Sequence, residues 1–258
     1  MEPAPQLLRK STILAAISYI FPADDAIGFP DVLPEARKIG LGRRSLTGFM
    51  TSGQKVEGLG PFESSLERDY FVLLEFDRRV LAWHPQPLRL DVPAGGGKRA
   101  RRYTPDVAVE YAKVPDGQEL DRVELCEIKY RDELKNKWHD LKPLLRAGIH
   151  HARSNGWQFK IYTEVEIRTP RLWNAKFLLP YSRQGASSED IARLALNVEG
   201  FGPATPSTLM DRCQTDAIER GRLLTVLWHM AATGLIAFDV GKKLNMNSRI
   251  WLSENARF

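Results

Sequence analysis

Cysteine is scarce in this sequence, and long apolar runs are missing from it. Only two of the 258 residues are cysteines, Cys126 and Cys213, which argues against a disulfide framework and favours a reducing, cytoplasmic compartment. No apolar run reaches the length that a membrane-spanning helix requires. The apolar residues 13–21 follow two basic residues but precede Asp24 and Asp25. We therefore interpret them as a short helix packed on the body of the protein rather than as a secretory leader.

Several common catalytic and metal-binding patterns are also missing. Cysteine and histidine nowhere have the spacing of a zinc site, no Gly-x-Ser-x-Gly elbow is present, and no glycine-rich loop ends in the Lys-Ser/Thr of a phosphate-binding loop. These absences argue against a zinc protein, a serine hydrolase of the elbow type and a P-loop nucleotide enzyme. The histidines, none of which has metal-pair spacing, are His84, His139, His150, His151 and His229.

The charge balance of the sequence is mildly basic. The formal net charge is +5 and the pI is about 9.2, which permits nucleic-acid binding without establishing it. Residues 181–258 contribute only +1 of this charge, so the basic excess lies in the first 180 residues. Basic clusters there are either solvated loops or contacts to DNA phosphates. The candidate phosphate contacts are Arg43, Arg44, Lys98, Arg99, Arg101 and Arg102.

Hydrophobic periodicity predicts an α/β fold with a mixed sheet flanked by helices. Within the longest predicted helix, Pro143 is expected to break or kink the chain because it lacks an N–H group. The predicted segments are, in order, a helix over residues 62–77, strands over 79–83, 88–92, 103–111 and 122–130, a helix over 132–155, a strand over 159–163 and a helix over 169–179.

The pattern changes after the last of these helices. Residues 181–188 have the composition of a linker, and the rest predicts three helices followed by a β-hairpin around Gly241, which is the outline of a winged helix. Ser188 and Thr205 are expected to cap helices, and Gly234 is expected to end one. We therefore predict an N-terminal helical and basic arm over 1–60, a central α/β domain over 61–180 and a winged-helix-like domain over 188–258.

The most informative motif joins Asp106 to Glu127 and Lys129. Asp106 ends the string Tyr-Thr-Pro-Asp, and Glu127 and Lys129 bound the string Glu-Ile-Lys in the next predicted strand. Because side chains on a strand alternate between faces, Glu127 and Lys129 point the same way. Cys126 is then expected on the opposite, apolar face. If the two strands are neighbours, two carboxylates and an ammonium group converge on one spot.

This set of groups suits the hydrolysis of a phosphodiester with Mg²⁺. The ion prefers one or two carboxylates together with water and substrate phosphate, and Asp106 and Glu127 are the candidate ligands. Lys129 can orient the attacking water and place positive charge beside the scissile phosphate. A third carboxylate from the preceding helix would come from Glu63 or Glu67. The alternative interpretation is an exposed ion-pair strip without catalytic function.

Short strings on both sides of the motif extend the pattern over about residues 44–181. They are Ser-Leu-Glu-Arg-Asp at 65–69, Leu-Glu-Phe-Asp at 74–77, Val80, Gln86-Pro87, Tyr-Thr-Pro-Asp at 103–106, Glu-Ile-Lys at 127–129, Thr-Glu at 163–164 and Ile-Arg at 167–168. In this order they resemble the TnsA family, the endonuclease subunits of certain heteromeric transposases.

The resemblance implies a restriction-endonuclease-like catalytic domain in a bacterial, cytoplasmic protein. Such a domain would cut double-stranded DNA at the 5′ ends of a transposon, with Mg²⁺ as cofactor and Mn²⁺ as a substitute. The implied partners are a TnsB-type transposase, which cuts and joins the 3′ ends, and a TnsC-type ATPase regulator, which contacts the C-terminal region. Two other functions stay open, a stand-alone restriction or repair nuclease and a non-catalytic DNA-binding assembly subunit.

The resemblance also implies a role for each acidic residue by its position. It makes Glu67 rather than Glu63 the third acid and metal ligand. The remaining site residues that it implies are Asp106, Glu127 and Lys129. Gln86 is expected near the site without a defined role, and Glu63 is expected to support the site.

Overall fold

The computed structural model describes most of the chain from residue 48 onward. Residues 1–47, which include Arg43 and Arg44, lie outside the described part, as do Lys98 and Arg99. The predictions for these residues therefore stay predictions. The described residues are 48–50, 55, 60–93, 100–112, 123–200, 204–213 and 216–254.

The described residues up to Leu172 form one compact unit, and those from Trp173 onward form another. The predicted three-part division of the chain stays a prediction. The strands and helices are, in chain order, β1 (Gly48–Met50), β2 (Gly60–Phe62), α1 (Ser65–Phe76), β3 (Val80–Pro85), β4 (Leu90–Val92), β5 (Arg101–Tyr103), β6 (Val107–Tyr111), β7 (Val123–Ile128), α2 (Arg131–Asn136), α3 (Trp138–Ser154), β8 (Gln158–Tyr162), α4 (Glu164–Ile167), α5 (Pro170–Ser182), α6 (Ser188–Gly200), α7 (Pro206–Arg212), α8 (Ala217–Thr233), β9 (Ile236–Phe238) and β10 (Ile250–Leu252).

The first unit is built on a mixed four-stranded sheet in the order β3-β6-β7-β8. β6 pairs antiparallel with β3 and with β7, whereas β7 and β8 are parallel. The two central strands are buried on both faces, and Val107, Val109, Leu125 and Cys126 are fully inaccessible. This burial explains why apolar residues occupy both faces of these strands. The predicted mixed sheet flanked by helices is confirmed.

The strand predicted over residues 103–111 is two strands in the structure. Its first part pairs with β4 in a separate two-stranded sheet, and β6 begins only after Asp106. The N–H of Asp106 donates to the carbonyl of Cys126 (3.1 Å), and the N–H of Lys129 donates to the carbonyl of Tyr162 (3.1 Å). Asp106 therefore lies just before β6 and Lys129 just after β7, at the same end of the sheet.

Helix α1 covers one face of this sheet. Ser64 caps the helix, because its Oγ accepts the N–H of Glu67 at 3.1 Å. The apolar side of α1 packs on the sheet, where the ring of Phe71 stacks on that of Trp83 with centroids 4.5 Å apart. Cys126 belongs to this core as a free thiol, so its predicted place on the apolar face is confirmed.

The helix predicted over residues 132–155 is interrupted at Lys137 and not at Pro143. The backbone of Lys137 (φ −111°, ψ 16°) leaves the helical region and separates α2 from α3. Its N–H closes the last turn of α2 by donating to the carbonyl of Glu133 at 2.9 Å. Pro143 lies inside α3, which continues through it. Pro143 therefore does not break the helix, contrary to one form of the prediction, and the alternative of a kink there stays a prediction.

Helix α3 covers the opposite face of the sheet, and Gly148 allows it to come close. A Cβ atom at Gly148 would lie 2.6 Å from Cε2 of Phe159 and 3.0 Å from Cε1 of Tyr103. These distances are shorter than ordinary contacts between carbon atoms. Tyr103 is buried beneath α3 in a cluster with Val92 and Leu144. Because Gly148 has no side chain, α3 can lie directly over Tyr103, whose hydroxyl donates to Glu127.

The second unit has the predicted order of three helices, α6 to α8, and an antiparallel hairpin of β9 and β10. Thr205 caps α7, and Gly234 ends α8 in the left-handed conformation (φ 74°), both as predicted. The predicted cap at Ser188 is wrong, because Ser188 lies inside α6 and the hydroxyl of Ser187 accepts the N–H of Asp190 at 3.1 Å. The buried amide of Asn174 accepts the N–H of Leu244 at 2.8 Å and so anchors the hairpin loop. The winged-helix assignment stays a prediction.

Among the described helices, none combines the length and apolarity needed to cross a membrane.

We expect Gly148→Ala to lower the free energy of unfolding by about 1–3 kcal/mol, because the new methyl group must displace the rings of Tyr103 and Phe159. Gly221 in α8 provides the matched control, since an added Cβ would meet nothing within 4 Å there. Gly221→Ala should stabilise by about 0.5–1 kcal/mol through helix propensity. Urea unfolding followed by circular dichroism measures both changes, and equal effects of the two substitutions would contradict the close approach of α3.

Candidate active site

Asp106 is held in place at the end of the sheet from several directions. Its carbonyl accepts the N–H of Gln86 at 2.9 Å, and its own N–H bonds to β7. Its side-chain Oδ2 accepts the N–H of Ile128 at 2.7 Å and the ammonium group of Lys129 at 3.1 Å. Both the backbone and the carboxylate are thus fixed before any ligand binds.

The ammonium group of Lys129 joins two carboxylates. Its Nζ lies 2.9 Å from Oε1 of Glu127 and 3.1 Å from Oδ2 of Asp106. The other oxygen of Glu127 accepts the hydroxyl of Tyr103 at 2.8 Å. The structure therefore brings together the three groups that the strand pattern predicts to converge. Their roles in catalysis stay predictions.

Of the two acids predicted on the preceding helix, Glu67 lies in the first turn of α1, whereas Glu63 lies just before the capping residue Ser64. The Oε2 of Glu67 accepts the N–H of Glu63 at 2.8 Å, and its Oε1 accepts the hydroxyl of Ser64 at 2.9 Å. Glu67 also interacts electrostatically with Asp106 and Lys129, so its carboxylate lies in the same region as the pair. Glu63 belongs to the same region, but its side chain is bonded to Gln86. Both candidate third acids thus lie at the sheet end, each with hydrogen-bond partners of its own.

Burial and mutual repulsion perturb the charges of the site. Burial, followed by the charge of Asp106, raises the pKa of Glu127 from its ordinary value of 4.5 to about 7. The same two causes raise the pKa of Glu67 to about 7. Burial lowers the pKa of Lys129, but the neighbouring carboxylates outweigh burial and leave this pKa well above its ordinary value. The site thus concentrates more negative charge than one ammonium group balances, which favours the binding of another cation.

The donor set fits a magnesium ion bound by two carboxylates. The described residues contain no group of three or more histidine, cysteine, aspartate or glutamate side chains arranged to hold a metal. Asp106 and Glu127 nevertheless present hard oxygen ligands on either side of one ammonium group. Mg²⁺ is commonly held by one or two carboxylates, with water and substrate phosphate completing its shell. The excess negative charge of the site agrees with this arrangement.

Two of the six candidate phosphate contacts lie within the described residues. Arg101 and Arg102 are exposed on β5, directly before Tyr103, whose hydroxyl holds Glu127. The guanidinium of Arg101 donates to the carbonyl of Asp140 at 3.0 Å. Two cations therefore lie on the strand that leads into the site, where DNA phosphates can be contacted. Their binding role stays a prediction.

Sequence reasoning missed two side chains that hold the acids. Tyr103 belongs to the Tyr-Thr-Pro-Asp string, but its contact with Glu127 depends on β5 leaving the main sheet, which no local pattern indicates. Ser64, in contrast, stands three residues before Glu67. This Ser-x-x-Glu spacing is the sequence signal of a capped helix start, so the bond between these two side chains could have been predicted.

Arg168 is a third residue to which the sequence assigned no role. Its guanidinium donates to Oδ2 of Asp69 (3.1 Å), to the hydroxyl of Ser65 (3.0 Å) and to the hydroxyl of Tyr130 (2.9 Å). It thereby ties the start of α1 to the residue that follows Lys129. Two of these partners stand 38 and 103 residues away along the chain, so only the tertiary structure reveals the connection.

Two protein-family models match this chain. The model described as TnsA-like endonuclease N terminal matches residues 77–164, and the model described as TnsA endonuclease C terminal matches residues 166–240. No curated protein matches it. The first match includes Asp106, Glu127 and Lys129. The two matches define the chain as an endonuclease by family. The chain belongs to the TnsA-like endonuclease family.

We expect Asp106→Asn to lower the pKa of Glu67 and Glu127 toward 4.5, because it removes the charge that repels both. Nuclear magnetic resonance titration of the glutamate carboxyl carbons in metal-free protein measures these pKa values. Since the folded-state values lie above 4.5, the unfolded chain releases its protons first, and the wild type should lose stability as the pH rises from 4.5 to about 7. Asp106→Asn should weaken this loss, and unchanged titrations would contradict the coupling.

Proposed function

We propose that this chain is a Mg²⁺-dependent DNA endonuclease that cuts the 5′ ends of a transposon together with a TnsB-type transposase. The observation that carries the proposal is the Lys129 ammonium group, which lies within 3.1 Å of carboxylate oxygens of both Asp106 and Glu127. Membership in the TnsA-like endonucleases supports DNA cleavage and transposition as its context. The excess of buried negative charge supports the use of a cation.

Each side chain of the site has a definite part in this proposal. Bound Mg²⁺ would supply charge neutralisation at the scissile phosphate and a more acidic water, with Asp106 and Glu127 as its carboxylate ligands. The hydroxyl of Tyr103 and the N–H of Ile128 keep these carboxylates oriented. Lys129 holds its ammonium group beside the same oxygens, where it orients a water molecule and stabilises negative charge on the phosphate.

Glu67 is the proposed third acid of the site. Its charge adjoins Asp106, and its carboxylate is oriented by the N–H of Glu63 and the hydroxyl of Ser64. A bound cation would find the Glu67 carboxylate already oriented at the start of α1 by these two hydrogen bonds.

The distribution of charge along the chain supports the proposed DNA contacts and protein partners. The proposed phosphate contacts position the duplex without reading its sequence, so recognition of the transposon ends falls to the TnsB-type transposase. Residues 181–258 have a net charge of only +1, which suits a protein partner better than a DNA groove. We therefore assign the winged-helix-like domain to contact with a TnsC-type ATPase regulator. The proposed phosphate contacts are Arg43, Arg44, Lys98, Arg99, Arg101 and Arg102.

Nicking of a supercoiled plasmid that carries a transposon end tests the proposal. With Mg²⁺ and the TnsB-type transposase present, Asp106→Ala and Lys129→Ala should each lower the cleavage rate by about 10²–10⁴-fold, because each removes a group that acts on the reacting atoms. Lys137→Ala is the control, since its exposed ammonium group pairs only with Glu133 among the described ion pairs. It should cleave at the wild-type rate. Undiminished cleavage by both site variants would contradict the assignment.

Calorimetric titration with Mg²⁺ or Mn²⁺ separates metal binding from turnover. Wild-type protein and Lys137→Ala should bind the ion, and Asp106→Ala should bind it far more weakly. A wild-type protein that binds neither ion would favour a non-catalytic assembly subunit. Efficient cleavage without any partner protein would instead favour a stand-alone nuclease.

A further inference from the structure

Gln86 has an unusual backbone conformation. Among the described residues other than glycine, it alone has a positive φ, 48°. The left-handed region costs a non-glycine residue about 1–2 kcal/mol, and Asn is a commoner occupant than Gln. Gln86 stands between Pro85 and Pro87 at the end of β3, and its N–H donates to the carbonyl of Asp106 at 2.9 Å. The strained backbone thus holds Gln86 against the main chain of the proposed metal ligand.

The side-chain amide of Gln86 has one favourable orientation. Its Nε2 donates to Oε1 of Glu63 at 3.2 Å, and turning the amide would set two acceptor oxygens against each other. The amide oxygen therefore points away from Glu63. It is buried and accepts no hydrogen bond from the described part of the chain. A buried oxygen without a donor costs about 1–3 kcal/mol.

Two unfavourable features in one residue beside Asp106 indicate a role in the site, since strain and unpaired polar groups concentrate at functional positions. The partner that suits the amide oxygen is a hydrogen-bond donor. DNA phosphates only accept hydrogen bonds, so the scissile group cannot serve as this partner. A water molecule is small enough to enter the site and can donate to the amide oxygen.

We propose that Gln86 is a positioning residue of the cleavage reaction. Its amide nitrogen fixes the carboxylate of Glu63, and its amide oxygen accepts a hydrogen bond from a water molecule of the active site. This inference rests on the proposed nuclease function. It gives Glu63 a supporting place in the site, because Glu63 also donates its N–H to Glu67 at 2.8 Å. Gln86 thereby connects the start of α1 to Asp106.

The variant Gln86→Gly distinguishes the role of the side-chain amide from the effect of the strained backbone. Glycine adopts a positive φ without steric cost, and the substitution also removes the buried oxygen, so the melting temperature should equal or exceed that of the wild type. The kcat for nicking should nevertheless fall by about tenfold to a hundredfold, with KM for transposon-end DNA within about twofold, because the site loses orientation rather than DNA affinity. Gln184→Gly, at an exposed position, is the control and should keep the wild-type kcat.

A reciprocal exchange tests the bond between Gln86 and Glu63. Gln86→Glu alone places two carboxylates against each other and should lower kcat at least as much as Gln86→Gly. Combined with Glu63→Gln, it restores one donor and one acceptor, so the double variant should regain activity relative to Gln86→Glu. A double variant no more active than Gln86→Glu would overturn the proposed bond.

The remaining outcomes distinguish this inference from the function on which it rests. Wild-type kcat for Gln86→Gly, alongside an inactive Asp106→Ala, would overturn the inference and leave the nuclease proposal standing. A melting temperature that falls in parallel with kcat would also overturn it, because Gln86 would then have a structural part only. Wild-type cleavage by Asp106→Ala would overturn the nuclease proposal itself.

Discussion

The ammonium group of Lys129 is the interaction on which the site depends. Asp106, Glu127 and Glu67 are acids gathered at one sheet end, and their repulsion would force them apart or neutralise them without a cation between them. Lys129 opposes the rise in the pKa of both glutamates and contacts two of the three carboxylates directly. The neighbouring hydroxyls and backbone N–H groups orient acids that this one cation keeps together.

The site can form only where the layers on both faces of the sheet meet. Alternation along β7 puts Glu127 on the face opposite Cys126, toward α3, where Tyr103 lies beneath Gly148. Glu67 comes from α1 on the other face. Asp106 and Lys129 lie just outside their strands, so neither is restricted to one face. The end of the sheet therefore joins acids that the body of the sheet would keep apart.

The sequence predicted those parts of the fold and site that local periodicity determines. Alternation along β7 placed Glu127 and Cys126 correctly on opposite faces, because side chains on a strand alternate with a period of two. The same pattern predicted Lys129 beside Glu127, where the structure has it, although Lys129 lies just after the strand. The division of the strand ahead of Asp106 was not predictable, since it follows from the pairing of β5 with β4 rather than with β7. The contacts of Arg168 were not predictable either, because its hydrogen-bond partners come from distant segments of the chain.

A second buried glutamate on β7 shows that burial alone does not distinguish the proposed site residues. Glu124 lies at the other end of the strand, where hydroxyls of Tyr111 and Tyr162 each donate to its Oε2 at 3.1 Å and Nζ of Lys160 lies 2.7 Å from its Oε1. Two hydroxyl groups and one ammonium group thus pair with this one carboxylate within the fold. Glu127 instead shares one ammonium group with a second acid. Unbalanced charge, and not the burial of an acid as such, therefore distinguishes the proposed functional end of the strand, because only carboxylates that compete for a cation gain from binding another.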